Sequence, residues 1–120
     1  MALRFKNLEI YQKAKDFAKM CREKVKMWNK EKGLANQIIR ASNSVVLNIA
    51  EGSACESNAE FTRFLTMSLR SVYEILAGFD LAESLGVVKN GSVRQIEQKA
   101  EVLIKQIQSF KNVLKNKNEK

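Results

Sequence analysis

Gln37, Arg40, Ser44, Asn48 and Glu51 recur at intervals of three and four residues. That spacing stacks side chains along one side of an α-helix. Amides, a hydroxyl, a guanidinium and a carboxylate thus share one line amid Ile38, Ile39, Val45, Val46, Leu47 and Ile49. Two chemistries are open to such a line. In the first it is a packing network: Arg40 pairs with Glu51 or Glu74, while Ser44 and Asn48 satisfy buried partners and fix helix register. In the second the line borders a groove or lumen and holds a ligand.

Catalytic alternatives are narrower. Histidine is absent, which removes the commonest general base, the commonest metal ligand and any Ser–His or Cys–His nucleophile pair. The Glu-x-x-His pairs of di-iron bundles cannot be formed. Carboxylate-only metal binding through Glu51, Glu60 and Glu74 lacks a set of inward carboxylates at metal spacing. No Gly-rich phosphate loop is present. The expectation is a protein without catalytic residues, metal or cofactor. Cys21 and Cys55 lie far apart in the chain and read as free side chains of a reduced compartment.

Charge is the other chemical resource. The 120-residue chain carries a net charge of +8. Residues 1–32 hold ten Lys/Arg against four Asp/Glu, residues 33–88 three against six, and residues 89–120 eight against three. Basic character therefore collects at both ends, as expected of a protein that neutralises phosphates. Lys13, Lys15, Lys19, Arg22 and Lys26, with Arg94, Lys99, Lys105 and Lys111, are the candidate nucleic-acid contacts. Tyr11, Phe17 and Trp28 belong to an apolar face rather than alternating with these cations, so base stacking and sequence preference are expected to be slight.

Four periodic segments must position these residues. With no proline and five glycines, long helices are expected over about 8–30, 34–53, 58–85 and 93–116, with a frayed tail at 117–120. Asn7 is the expected N-cap of the first helix, and Lys30-Glu31-Lys32-Gly33 its closing turn. The second helix is apolar over more than half its circumference, which calls for a central position or a subunit interface. Gly52 is expected to help stop it. Ser57 with Glu60, and Ser92 with Gln95, read as capping boxes. Ser68 and Ser71 lie within the apolar face of the third helix, where small residues let a neighbour approach closely. Gly86 fits a helix stop and Asn90-Gly91 a turn. Short connections make this a single all-α domain over residues 1–120, an up-down-up-down antiparallel four-helix bundle. The first and fourth helices are then neighbours, and their cations are expected to merge into one basic flank. No apolar run of about 18 residues and no signal-peptide pattern occur, so a cytoplasmic protein without membrane partners is expected.

The chain resembles the small bacterial four-helix-bundle family linked to intervening sequences in 23S ribosomal RNA genes, the S23 family. Gln37, Arg40-Ala41, Ser44 and Asn48-Ile49-Ala50-Glu51-Gly52 carry the likeness, with Glu60-Phe61, Phe64-Leu65, Ser68, Ser71 and Glu74 as a second block. The opening from Phe5 to Ala14 is similar too. The resemblance implies a homo-oligomer, a pentameric ring. It also implies a distant tie to the accessory variability proteins of diversity-generating retroelements, similar bundles that bind nucleic acid and a reverse transcriptase. Together, residues and resemblance lead us to expect a non-enzymatic oligomer that binds RNA or DNA electrostatically, as an accessory to a nucleic-acid-processing partner. The alternative is an oligomeric protein-binding scaffold without nucleic-acid affinity.

Overall fold

Apolar residues at three- and four-residue spacing give each helix one face to bury, and four such faces close on a common core. The computed structural model describes residues 3–118. A 3-10 turn, Arg4–Asn7, precedes α1 (Glu9–Lys26), α2 (Lys32–Ser53), α3 (Asn58–Ser84) and α4 (Arg94–Asn118). No strand occurs among the described residues.

Each helix packs against the two beside it, and α1 meets α4 to close the ring. Contacts descend along one helix as they climb the next. Ile38 faces Gly78 and Phe61 faces Gly52 across α2–α3. Phe61 meets Phe110 across α3–α4, while Glu83 near the end of α3 reaches Gly91 just before α4. Ile10 lies beside Phe110, and Phe17 beside Lys99, across α1–α4. Neighbours therefore run antiparallel, as the short connections lead one to expect.

The core is drawn from all four helices: Phe17, Cys21, Ile38, Val45, Ile49, Phe61, Leu65, Val72, Ile75, Ile96, Leu103 and Ile107 are buried. Each large aliphatic or aromatic member contributes about 1.5–3 kcal/mol relative to exposure. The broad apolar surface of α2 is mostly covered within the chain, because α1 and α3 flank it. Ile39, Val46 and Ala50 are half-buried, and Leu47 alone of that set remains 56 % exposed. Cys21 and Cys55 are free thiols, the first buried and the second half-buried. Desolvation pushes the Cys21 thiol up to about 12.

Several local expectations are corrected. Helix α1 ends at Lys26 rather than near Lys30. Asn7 belongs to the 3-10 turn, and Leu8 takes the N-cap position with no side-chain bond. Glu31, not Gly33, adopts the left-handed conformation before α2, at φ 60°. Gly52 does not stop α2, which continues to Ser53. Its need for hydrogen in place of a side chain is steric: a Cβ there would stand 2.7 Å from Phe61 Cδ1. Ser57 caps α3 by accepting from the Glu60 amide at 3.1 Å, while the Glu60 carboxylate turns to Arg63 at 3.9 Å. Helix α4 begins at Arg94, so Ser92 falls in the preceding turn and donates its amide to Lys89 O. Gly86 and Gly91 take positive φ as expected, and the Val87 amide bonds Ala82 O to finish α3. Lys117 and Asn118 extend α4 beyond the expected fraying point; residues 1, 2, 119 and 120 of the expected domain and tail lie outside the described residues. No helix among the described residues is long and apolar enough to cross a membrane.

Candidate nucleic-acid interface

The polar line of α2 lies along its α3 side, at the molecular surface. Ser44 and Asn48 are half-buried, while Gln37, Arg40, Glu51 and Glu74 are exposed. Asn48 Nδ2 donates to Ser44 O and Ser44 Oγ, both at 2.9 Å. Ser71 Oγ from α3 donates to Ser44 Oγ at 3.0 Å, and Ser68 Oγ donates to Val45 O at 2.8 Å. Small residues permit this closeness: a Cβ on Gly78 would approach Ile38 Cγ1 to 2.8 Å. The network therefore fixes the register of α2 on α3 through hydroxyls and one amide. Its expected ionic member is corrected. Arg40 makes no salt bridge to Glu51 or Glu74, and all three stand exposed, where solvation of each charge removes the need for a partner.

The cations divide differently from the expected α1–α4 flank. Lys15, Lys19, Arg22 and Lys26 follow one another at spacings of four, three and four, so they form a single stripe along α1. That stripe borders α2. Lys15, Lys19 and Arg22 line a depression with Asn43, Val46 and Leu47. Arg22 and Lys26 line a second one, with Lys30, Lys32 and Asn36, at the turn between the helices. Arg22 lines both, so the two depressions adjoin along the α1–α2 groove. Its guanidinium is held by Asn43, with Nη2 donating to Oδ1 at 2.8 Å. Lys15 Nζ lies 5.1 Å from the centre of the Tyr11 ring. Among the described residues no carboxylate lines either depression.

The α1–α4 side is electrically mixed. Lys13 and Lys99 share a depression with Asp16. Lys105 shares the next with Glu9. Glu9, Asp16 and Glu23 repeat every seven residues and so run along α1 on its α4 side. Arg94 is exposed at the start of α4, and Lys111 is half-buried two turns beyond Lys105. The structure thus brings α1 and α4 together, with Lys13 beside Lys99, but sets carboxylates among their cations. Four of the nine candidate contacts gather on the α1–α2 groove; Lys13 and Lys99 meet beside Asp16, and Arg94, Lys105 and Lys111 lie apart from both groups. Sequence reasoning missed Lys30, Lys32, Asn36 and Asn43 in this groove. The signal was available: Lys30 and Lys32 continue the α1 stripe through a turn that returns the chain beside it.

Residues 6–109 match the model of the 23S rRNA-intervening sequence protein family. Among solved structures, the chain is similar to a protein of unknown function from the S23 ribosomal protein family of Bacteroides thetaiotaomicron. The two share 21 % identity over 85 % of this chain and 97 % of that one, with a TM-score of 0.76. At that identity the likeness concerns the fold. No curated protein matches the sequence.

Proposed function

The chain belongs to the 23S rRNA-intervening sequence protein family, and we propose that it is a non-enzymatic protein that binds RNA or DNA electrostatically through the α1–α2 groove. One observation carries this reading: six cations, Lys15, Lys19, Arg22, Lys26, Lys30 and Lys32, border two adjoining depressions between α1 and α2 whose described lining holds no carboxylate. Such a strip suits a polyphosphate backbone, with Asn36 and Asn43 as neutral hydrogen-bonding partners. The groove displays no exposed aromatic face, which favours backbone over base contacts. Fluorescence polarisation with a single-stranded RNA and a duplex DNA, across 50–200 mM salt, tests it. Six neutralised phosphates give a log–log slope near −4 on a single strand and near −5 on a duplex, roughly a few hundredfold or more in affinity over that range. Binding that barely responds to salt contradicts phosphate contacts.

Self-association belongs to the same reading, in the pentameric ring that the family resemblance implies. The α2–α3 face leaves Arg40, Glu51 and Glu74 exposed, and Gln37, Glu74 and the 47 % exposed Leu81 share one depression there. Charges of both signs beside exposed apolar surface suit a neighbouring copy. Light scattering gives the mass, and Arg40→Glu should lower it by setting like charges together. A monomeric mass for the unmodified protein removes the ring. That face is also where the scaffold alternative would act. Oligomers of unchanged mass that bind no nucleic acid at low salt would favour it.

A further inference from the structure

A groove between two consecutive helices is closed at one end by their own connection. Here the closed end lies at residues 27–31, and there the groove widens into a depression of about 340 Å³. Arg22 and Lys26 from α1, Lys30 from the turn and Lys32 from the start of α2 converge on it. Trp28 and Ile39 give it an apolar floor. Trp28 is fixed there, 8 % exposed and edge-on to Phe79 at 5.8 Å between ring centres.

This arrangement differs from the rest of the groove in charge density and in shape. Along the open stretch, Lys15, Lys19 and Arg22 are spaced over two turns of helix, which suits successive phosphodiesters of one negative charge each. At the closed end four cations surround one volume. A phosphomonoester, with a charge of about −1.5 to −2 at neutral pH and three terminal oxygens, matches that concentration better than a diester. The volume falls within the usual range of small-ligand sites, roughly 300–1,000 Å³. The first amides of α2 add to the same field: Glu31, at the N-cap, makes no side-chain bond to them, so they keep their donors and the positive end of the helix dipole. A strand that lies in the groove with its end toward the turn brings that end to the depression.

We propose that the depression at the α1–α2 turn receives the terminal phosphomonoester of a nucleic-acid strand, making the protein a reader of phosphorylated ends. The inference rests on the groove reading above and adds the end to it. Either a 5′ or a 3′ phosphate supplies the chemistry. The test uses one unlabelled single-stranded RNA sequence in three forms: hydroxyl at both ends, 5′-phosphate, and 3′-phosphate. Trp28 is the only tryptophan of the chain and lines the depression, so its fluorescence reports occupancy. The expected result is roughly fivefold tighter binding of a phosphorylated form, with a change in Trp28 emission that the hydroxyl form does not produce. Which phosphorylated form is favoured identifies the end. Lys30→Gln with Lys32→Gln should abolish the preference, weakening the favoured phosphorylated form roughly fivefold more than the hydroxyl form, whose own loss is that of two groove cations.

Equal affinity for all three forms overturns the end-reading site and leaves the groove standing. So does an equal loss for all three in the double variant, which would make the two lysines an extension of the groove. Failure of every form to bind at 50 mM salt overturns the groove reading itself.

Discussion

The seam between α2 and α3 and the groove between α1 and α2 share a helix but use their polar residues in opposite ways. In the seam, Ser44, Asn48, Ser68 and Ser71 bond to one another or to backbone across short distances. Gly52 and Gly78 leave no room for a Cβ. Polar groups are small, satisfied and tied to register. In the groove, Lys15, Lys19, Arg22, Lys26, Lys30 and Lys32 are long, exposed and of one sign. Like charges held together lower stability slightly, and the proposed function assigns their counter-charge to a bound polyanion. Polar residues that satisfy each other speak of folding, and polar residues left in surplus speak of binding.

That contrast can be broken by substitution. The largest effect is expected in the seam, where Gly78→Val should cost about 3 kcal/mol in denaturant unfolding by driving its side chain into Ile38. A loss under about 1 kcal/mol would mean the helices can part without penalty. Alkaline pH reaches the core beside the groove through Cys21. Its folded-state thiol is raised from 9.0 to about 12 by burial. The associated stability is therefore full below pH 9 and declines as pH rises toward 12. The decline should be shallower in Cys21→Ala, and an unaltered slope would deny that the thiol is shielded. Ser68→Ala should cost about 1 kcal/mol, the worth of its bond to Val45 O. The smallest effect is expected at Arg40→Ala, within about 0.5 kcal/mol at dilute protein concentration, as for an exposed side chain. A loss of several kcal/mol there would restore the ionic network that the sequence suggests.

Much of the fold is legible in the sequence because the apolar spacing in each helix repeats far enough to define a face. Ser57, Gly86 and Gly91 mark their boundaries by local chemistry alone. Gly52 was misread because a glycine near a helix end and a glycine under an aromatic ring look alike until Phe61 is placed above it. Arg40 was misread for a related reason. Periodicity puts it in line with Ser44 and Asn48, but a helix line is wide enough that one member can be half-buried while the next stands in solvent. The candidate site was half legible. The α1 stripe is plain from spacing, yet which neighbour it borders depends on the rotation of α1 within the bundle. The acidic line Glu9, Asp16 and Glu23 lies about a quarter of the way around α1 from the cations, and the bundle turns it toward α4, leaving the uniform charge on the α2 side.

The proposed phosphate-binding role of the α1–α2 groove is tested most directly by two variants that lose the same charge from different places. One carries Lys15→Gln, Lys19→Gln and Lys26→Gln in the groove; the other carries Arg94→Gln, Lys105→Gln and Lys111→Gln on α4. Affinity for one single-stranded RNA is measured for both at 100 mM salt. The groove variant should bind at least about tenfold more weakly than the α4 variant, with a salt slope shallower by about 2. Equal weakening of the two variants would show that net charge, and not the α1–α2 groove, governs binding.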